Sequence, residues 1–239
     1  MKKILSSLCL IIILAAQLFG CAKSTDLPLG NLVILGDSYS TFEGHIPEGY
    51  VTYYSKGGRC GIKRVSDTWW HKLAVATKSD IILNSSYSGS TVCHTGYYGN
   101  DYSEFSFAAR VTKLVSDGFF EENSIDTIII YGGLNDFWAN SPRGEIKYEG
   151  ITDEDLYSFF PALSYIFKAI TEATPNTRLV LIIEEQLDGE MKDGMRSIAD
   201  HYGVQTVEPH GLELEESHPT KKGMKSLSEQ IIASLSADN

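Results

Sequence analysis

Five short apolar runs recur along the chain, each far enough from the next to leave room for one helix. They fall at residues 31–35 (NLVIL), 80–84, 126–131 (DTIIIY), 177–183 and 204–207. The first four are continuous rather than alternating; the fifth, VQTV, is short and mixed. A strand with one wet face alternates polar and apolar residues, whereas a strand covered on both faces does not. Helical periodicity fills the intervals. Trp70, Leu73 and Ala74 share one face of a helix expected at 67–78, and Phe107, Val111, Leu114 and Val115 one face of a helix at 105–117. Leu156, Phe159, Phe160, Leu163, Phe167 and Ile170 repeat at helical spacing within 153–174, and further helices are expected at about 190–202 and 219–235. Strands alternating with helices form a parallel sheet with helices on both sides, a three-layer α/β/α sandwich. In such sheets, sites gather beyond the carboxyl ends of the strands.

The residues just after each strand are therefore informative. Gly36-Asp37-Ser38 comes after the first, NSSYSGST (residues 84–91) after the second, GGLND (132–136) after the third and EESHP (215–219) after the fifth. Together these blocks contain the parts of an acyl-transfer site. Ser38 offers a hydroxyl and His218 a base to take its proton. The backbone N–H groups of Ser38 and Gly89 and the side-chain amide of Asn135 offer donors for a developing oxyanion. Each block alone has a plainer reading: a helix cap at Ser38, a turn at Asn135-Asp136, a positive φ at Gly89, a loop residue at His218. Asp37 reads as a structural acceptor for loop N–H groups. His45, His71, His94, His201 and His210 lie outside any motif, with His94 expected nearest the site.

The chain begins with Lys2 and Lys3, then an apolar run, Leu8–Leu18, broken only by Gln17 and leading into Phe19-Gly20-Cys21. The run is too short to span a bilayer and reads as a signal peptide over residues 1–20. A cysteine directly after a small residue resembles the lipid-attachment site of bacterial lipoproteins. The expectation is an exported protein anchored to a bacterial membrane through Cys21, with residues 21–30 as anchor and tether and 31–239 as one domain. Removing residues 1–20 leaves 18 basic against 31 acidic residues, a net charge of −13. That charge argues against nucleic acid as a partner. Cys60 and Cys93 both lie in loop-like sequence, and outside the cytoplasm they are candidates for a disulfide; two separate buried thiols are the alternative. No CxxC and no pair of histidines at ligand spacing is present, so neither a metal nor a cofactor is expected.

Taken in order, the four blocks resemble the SGNH/GDSL hydrolase family from about residue 31 to 225. The resemblance implies a flavodoxin-like sheet with strand order 2-1-3-4-5 and a serine esterase. Ser38 is then the nucleophile and His218 the base, with Ser38, Gly89 and Asn135 forming the oxyanion hole. The family usually carries Asp three residues before the histidine; here that residue is Glu215. Glu215 is expected to orient His218, with Glu216 or a backbone carbonyl as the alternative.

The loops at 43–66 and 94–107 carry Tyr50, Tyr53, Tyr54, Tyr97, Tyr98, Tyr102 and Phe105. Aromatic faces with polar tips suit a sugar ring, though also plain loop packing. The expected substrate is a small acyl ester, acetyl first, on a carbohydrate. The alternatives are a lipid or thioester substrate, an acyltransferase using the same residues, and a glycan-binding lipoprotein without catalysis.

Overall fold

A computed structural model describes residues 27–237. The signal segment and Cys21 lie outside the described residues. Five parallel strands form one sheet: β1 (Asn31–Gly36), β2 (Asp80–Ser86), β3 (Thr127–Tyr131), β4 (Arg178–Ile182) and β5 (Gln205–Val207), in the spatial order β2-β1-β3-β4-β5. The strands begin and end within about two residues of the runs in the sequence. The central ones are sealed on both faces: Leu32–Ile34, Ile128–Ile130, Val180 and Ile182 have no exposed surface.

The helices are α1 (Trp69–Thr77), α2 (Phe107–Ser116), α3 (Phe119–Glu122), α4 (Leu134–Ala139), α5 (Phe159–Ala173), α6 (Gly189–Tyr202) and α7 (Lys221–Ala237). Helix α1 packs against α7, while α2, α5 and α6 pack side by side. Chain direction across the sheet reverses between β1 and its two neighbours, β2 and β3, the position where such folds open a crevice.

Several local expectations are corrected. Helix α5 starts at Phe159, because residues 155–157 form a separate 3₁₀ turn. Val115 lies on the exposed side of α2. Pro219 is not in the last helix but in a small hairpin, β6 (Leu214–Glu215) with β7 (His218–Pro219). Cys60 and Cys93 are unpaired and buried. The Cys60 thiol points to the Glu215 carbonyl at 3.4 Å and the Cys93 thiol to the Thr95 carbonyl at 3.5 Å, so each occupies its own pocket.

The ends of β1 and β2 are locked by one side chain that the sequence pattern hid. Arg110 sits on α2 between Phe107 and Val111 and is itself buried. Its guanidinium donates to the carbonyls of Ser85, Gly36 (3.1 Å) and Phe105 (3.1 Å) and to Ser90 Oγ (3.1 Å), and it stacks on the Phe107 ring at 4.3 Å. Burial lowers its pKa to about 10, which still leaves it charged at neutral pH. A buried cation is tolerated when its donors are satisfied, and here the acceptors are mostly backbone carbonyls. Gly36 permits this close convergence: a Cβ there would lie 2.4 Å from Ser40 Cβ and 2.6 Å from Ser86 Oγ.

Replacing Arg110 with Met should therefore leave several buried carbonyls unpaired and destabilise the fold by about 3 kcal/mol or more, read by urea unfolding. Arg110→Lys should recover little of that loss, because one ammonium cannot reproduce the planar fork.

Candidate active site

Ser38 opens a single 3₁₀ turn, Ser38–Ser40, directly after β1. Asp37 caps the turn, its carboxylate accepting from the Tyr39 N–H at 3.0 Å, and the Ser38 carbonyl accepts from Thr41 Oγ1 at 3.0 Å. His218 is 180 residues away in sequence, yet its Nε2 lies 3.0 Å from Ser38 Oγ. Its Nδ1 lies 2.8 Å from the backbone carbonyl of Glu216. A carbonyl can only accept, so Nδ1 carries the hydrogen and Nε2 keeps its lone pair facing the serine hydroxyl.

The expectation for Glu215 is corrected by this geometry. Glu215 stands opposite His218 in the β6–β7 register, but Nδ1 turns instead to the carbonyl of the next residue. Glu216 and Ser217 make the hairpin turn, with φ of 48° and 60°. Two successive positive φ values are the signature of a type I′ turn, which normally takes Asn or Gly. This backbone aims the Glu216 carbonyl back at the ring. The next carbonyl, that of Ser217, accepts from the Tyr39 hydroxyl, which itself accepts from Gln186 Nε2 at 3.3 Å. The hairpin is thus tied to the residue after Ser38.

Asn135 stands in the first turn of α4 and is buried. Its amide is fixed from both ends: Nδ2 donates to Asp37 Oδ2 at 3.3 Å, and Oδ1 accepts from the Tyr97 hydroxyl at 2.8 Å. The second Nδ2 hydrogen remains available to a ligand. Gly89 lies in the turn after β2 with φ of 83°, and an added Cβ would meet nothing within 4 Å. Its importance is conformational, since a side chain at that φ would be strained. Asp136 ties this loop to α4 by accepting from the N–H groups of Val92 (2.8 Å) and Cys93 (3.1 Å).

Sequence reasoning missed Tyr97, Asp136 and Arg110 as supports. A charged residue in the apolar stripe of α2 was a usable signal for Arg110. Tyr97 and Asp136 gave none, because their partners are remote in sequence. Tyr54, counted among the loop aromatics, is wholly buried with its hydroxyl on the Pro219 carbonyl at 2.9 Å. His94 is buried too, its Nδ1 bonded to Ser106 Oγ at 2.8 Å and its ring edge-on to Tyr157.

Burial governs the electrostatics. It pushes the Asp37 and Asp136 carboxyls up to about 7, against the pull of the N–H groups they accept. Near neutrality Asp37 is thus only partly charged, which matters because a full negative charge beside Asn135 would oppose an oxyanion held by the same amide. Burial also lowers the pKa of His218 below its ordinary 6.5, with the Glu216 carbonyl pulling upward and Arg59 downward. In an NMR pH titration, the His218 ring should therefore change charge below pH 6.5 and be a neutral base at pH 7. A midpoint above 6.5 would mean that a carboxylate, not the carbonyl, partners Nδ1.

This arrangement can move a proton from the Ser38 hydroxyl to the His218 imidazole, with the Asn135 amide held on Asp37, which itself caps the Ser38 turn. The family model for GDSL-like lipase/acylhydrolase matches residues 30–235. A structure described as a GDSL-like lipase from Bacteroides ovatus is 39% identical, with a TM-score of 0.79, over 85% of this chain and 96% of the other. Another so described, from Bacteroides uniformis, is 37% identical with a TM-score of 0.79, over 87% and 96%. A family two carbohydrate esterase from Clostridium thermocellum, solved in complex with cellohexaose, shares the fold at 14% identity and a TM-score of 0.62, over 88% of this chain and 65% of that one. No curated protein sequence matches the chain. With the family model spanning nearly the whole described domain and relatives above one-third identity along almost their full length, the chain belongs to the GDSL-like lipase/acylhydrolase family and is a carboxylic ester hydrolase.

Proposed function

We propose that the protein removes a small acyl group, acetyl first, from a carbohydrate ester through an acyl-enzyme on Ser38. The observation that carries this reading is the line from the Glu216 carbonyl through His218 to Ser38, with contacts of 2.8 and 3.0 Å. Ser38 Oγ attacks the ester carbonyl while its proton passes to His218 Nε2. The Ser38 and Gly89 N–H groups and Asn135 Nδ2 hold the resulting oxyanion. The tetrahedral intermediate collapses, the ester C–O bond breaks, and Nε2 returns the proton to the departing alcohol. Water then attacks acyl-Ser38, giving its proton to Nε2, and the acid leaves as Ser38 regains a hydrogen. No step needs a metal or a cofactor.

The carbohydrate half of the reading is supported by rings beside the site. Tyr50, Tyr87, Phe105 and Tyr102 form a continuous row, with neighbouring centroids 5.3, 4.6 and 4.5 Å apart, next to the turn that holds Gly89. Tyr98, next to the Tyr97 that holds Asn135, is 97% exposed. Apolar faces with polar tips match a sugar, whose C–H face and hydroxyl edge need both. The carbohydrate esterase with the same fold, solved with cellohexaose, points the same way. Residues 1–20 as signal and Cys21 as lipid site would place the enzyme on a bacterial membrane, facing glycans outside the cytoplasm.

With p-nitrophenyl acetate, Ser38→Ala should lose at least ~10³-fold in turnover while staying folded. Asn135→Ala should lose about 10²-fold in kcat with little change in KM, since its bond strengthens mainly in the transition state. Glu215→Gln should stay within about threefold of wild type in kcat, far from the roughly 10⁴-fold loss of a triad acid. Acetylated oligosaccharides should exceed p-nitrophenyl octanoate in kcat/KM; the reverse order would assign the enzyme to lipid esters. Mass spectrometry of the membrane-bound protein should find acyl chains on Cys21, and Cys21→Ala should release it in soluble form.

A further inference from the structure

With no carboxylate behind it, the imidazole of His218 needs something else to fix its plane. Its two hydrogen bonds, to the Glu216 carbonyl and to Ser38, both lie at ring nitrogens. They set where the nitrogens sit but leave the ring free to tilt about the line joining them. The Tyr53 ring removes that freedom. It lies parallel to the imidazole, with centroids 3.5 Å apart and planes 6° apart. Tyr39 and Tyr54 also touch the imidazole, but at an angle and with centroids 5.2 and 6.4 Å away.

Tyr53 is itself well held. Its N–H donates to Thr41 Oγ1 at 2.9 Å, the same hydroxyl that donates to the Ser38 carbonyl. Its ring meets Tyr54 edge-on, and Tyr54 is fixed to the Pro219 carbonyl, one residue beyond His218. A single side chain is therefore referenced to the backbone on both sides of the proton-transfer pair. The outer face of Tyr53 is also occupied: the Arg59 guanidinium carbon lies 4.5 Å from the ring centroid. The imidazole already fills one face, so Arg59 must cover the other.

We propose that Tyr53 is a positioning residue for His218, its ring taking over the orienting task that a carboxylate performs elsewhere, and that Arg59 behind it places a positive charge against formation of the imidazolium. The proposal rests on His218 acting as the base. An imidazolium over an aromatic face is favoured by the ring's quadrupole, but a second cation on the far side of that ring works against it. The groups facing His218 are Ser38 and Tyr39 from the β1 turn, Glu216 from the hairpin, and Tyr53, Tyr54 and Arg59 from the 43–66 loop. Burial pushes the three phenols up, so they stay neutral over the working range. Glu216 and Arg59 are the charged pair, and they act in opposite directions.

The test compares wild type, Tyr53→Phe, Tyr53→Leu and Arg59→Met, using p-nitrophenyl acetate turnover across pH and NMR titration of the His218 ring. Tyr53→Phe keeps the face and should stay within about threefold in kcat. Tyr53→Leu fills the space without a face and should lose about tenfold or more in kcat at unchanged KM, the mark of misplaced chemistry rather than lost binding. Arg59→Met should raise both the His218 midpoint and the acid limb of kcat/KM by about half a pH unit. Leucine at position 53 with wild-type kcat would overturn the positioning role. An unmoved midpoint in Arg59→Met would overturn the charge effect; if Tyr53→Leu fails to fold, Tyr53→Met, read by the same kcat and KM, decides the positioning role. Failure of the underlying reading looks different: turnover that survives both Ser38→Ala and His218→Ala would dismiss the Ser38–His218 pair, while the NMR shift in Arg59→Met would still report the Arg59 charge beside the imidazole.

Discussion

The site depends on a cation that has no carboxylate partner among the described residues. Arg110 reaches from α2 to the carbonyls of Gly36, which ends β1, and of Ser85, one residue before the end of β2, and to Ser90, next to Gly89. Those are the points where the chain leaves the sheet to present Ser38 on one side and the Gly89 turn on the other. Loops beyond strand ends lose the ladder that orders a sheet, and their carbonyls need other donors. One guanidinium supplies several donors at fixed angles, which sets the spacing of the two loops as well as satisfying them. Its charge also reaches Asp37, where it works against the rise that burial imposes.

A second consequence of burial is that the acids around the site are not simply anions. Asp37 and Asp136 spend their oxygens on backbone and amide N–H groups, and their carboxyls titrate near neutrality. They work as acceptors that hold Asn135 and the 90–93 loop in place. Glu184, at the carboxyl end of β4, is another buried carboxyl, raised by burial and bonded to the Tyr131 hydroxyl. Asn135, the proposed oxyanion donor, thus sits beside a scaffold acid that burial has pushed up to about 7, which lessens the electrostatic opposition to an anionic intermediate.

The histidine is supported differently from a three-residue relay. A carbonyl fixes the tautomer, as a carboxylate would, but contributes a dipole rather than a full charge to the imidazolium. The Tyr53 face and the tie between Tyr39 and the Ser217 carbonyl supply the rigidity. The positive φ values at Glu216 and Ser217 fit this arrangement: a turn strained for those residues is maintained because it points two successive carbonyls at His218 and Tyr39.

The layered fold was legible in the chain because it rests on local physics, whereas the strand order came only with the family resemblance. Continuous apolar runs as short as Leu32–Leu35 and Ile128–Ile130, rich in β-branched residues and set between turn residues, fit strands buried on both faces, and the stripe from Phe159 to Ile170 fits a packed helix. That Ser38, Asn135 and His218 come together was legible for a related reason: each comes after a strand, and strand ends share one edge of a parallel sheet. What tertiary structure alone decided is which group partners each of them. Whether His218 Nδ1 meets the Glu215 carboxylate or the Glu216 carbonyl depends on two backbone angles in a hairpin turn. Whether Cys60 meets Cys93 depends on where two long loops pack. Neither is encoded in a spacing. Tyr53, Tyr97 and Arg110 act on partners dozens of residues away, and only the folded chain brings such side chains within hydrogen-bond or ring-contact range.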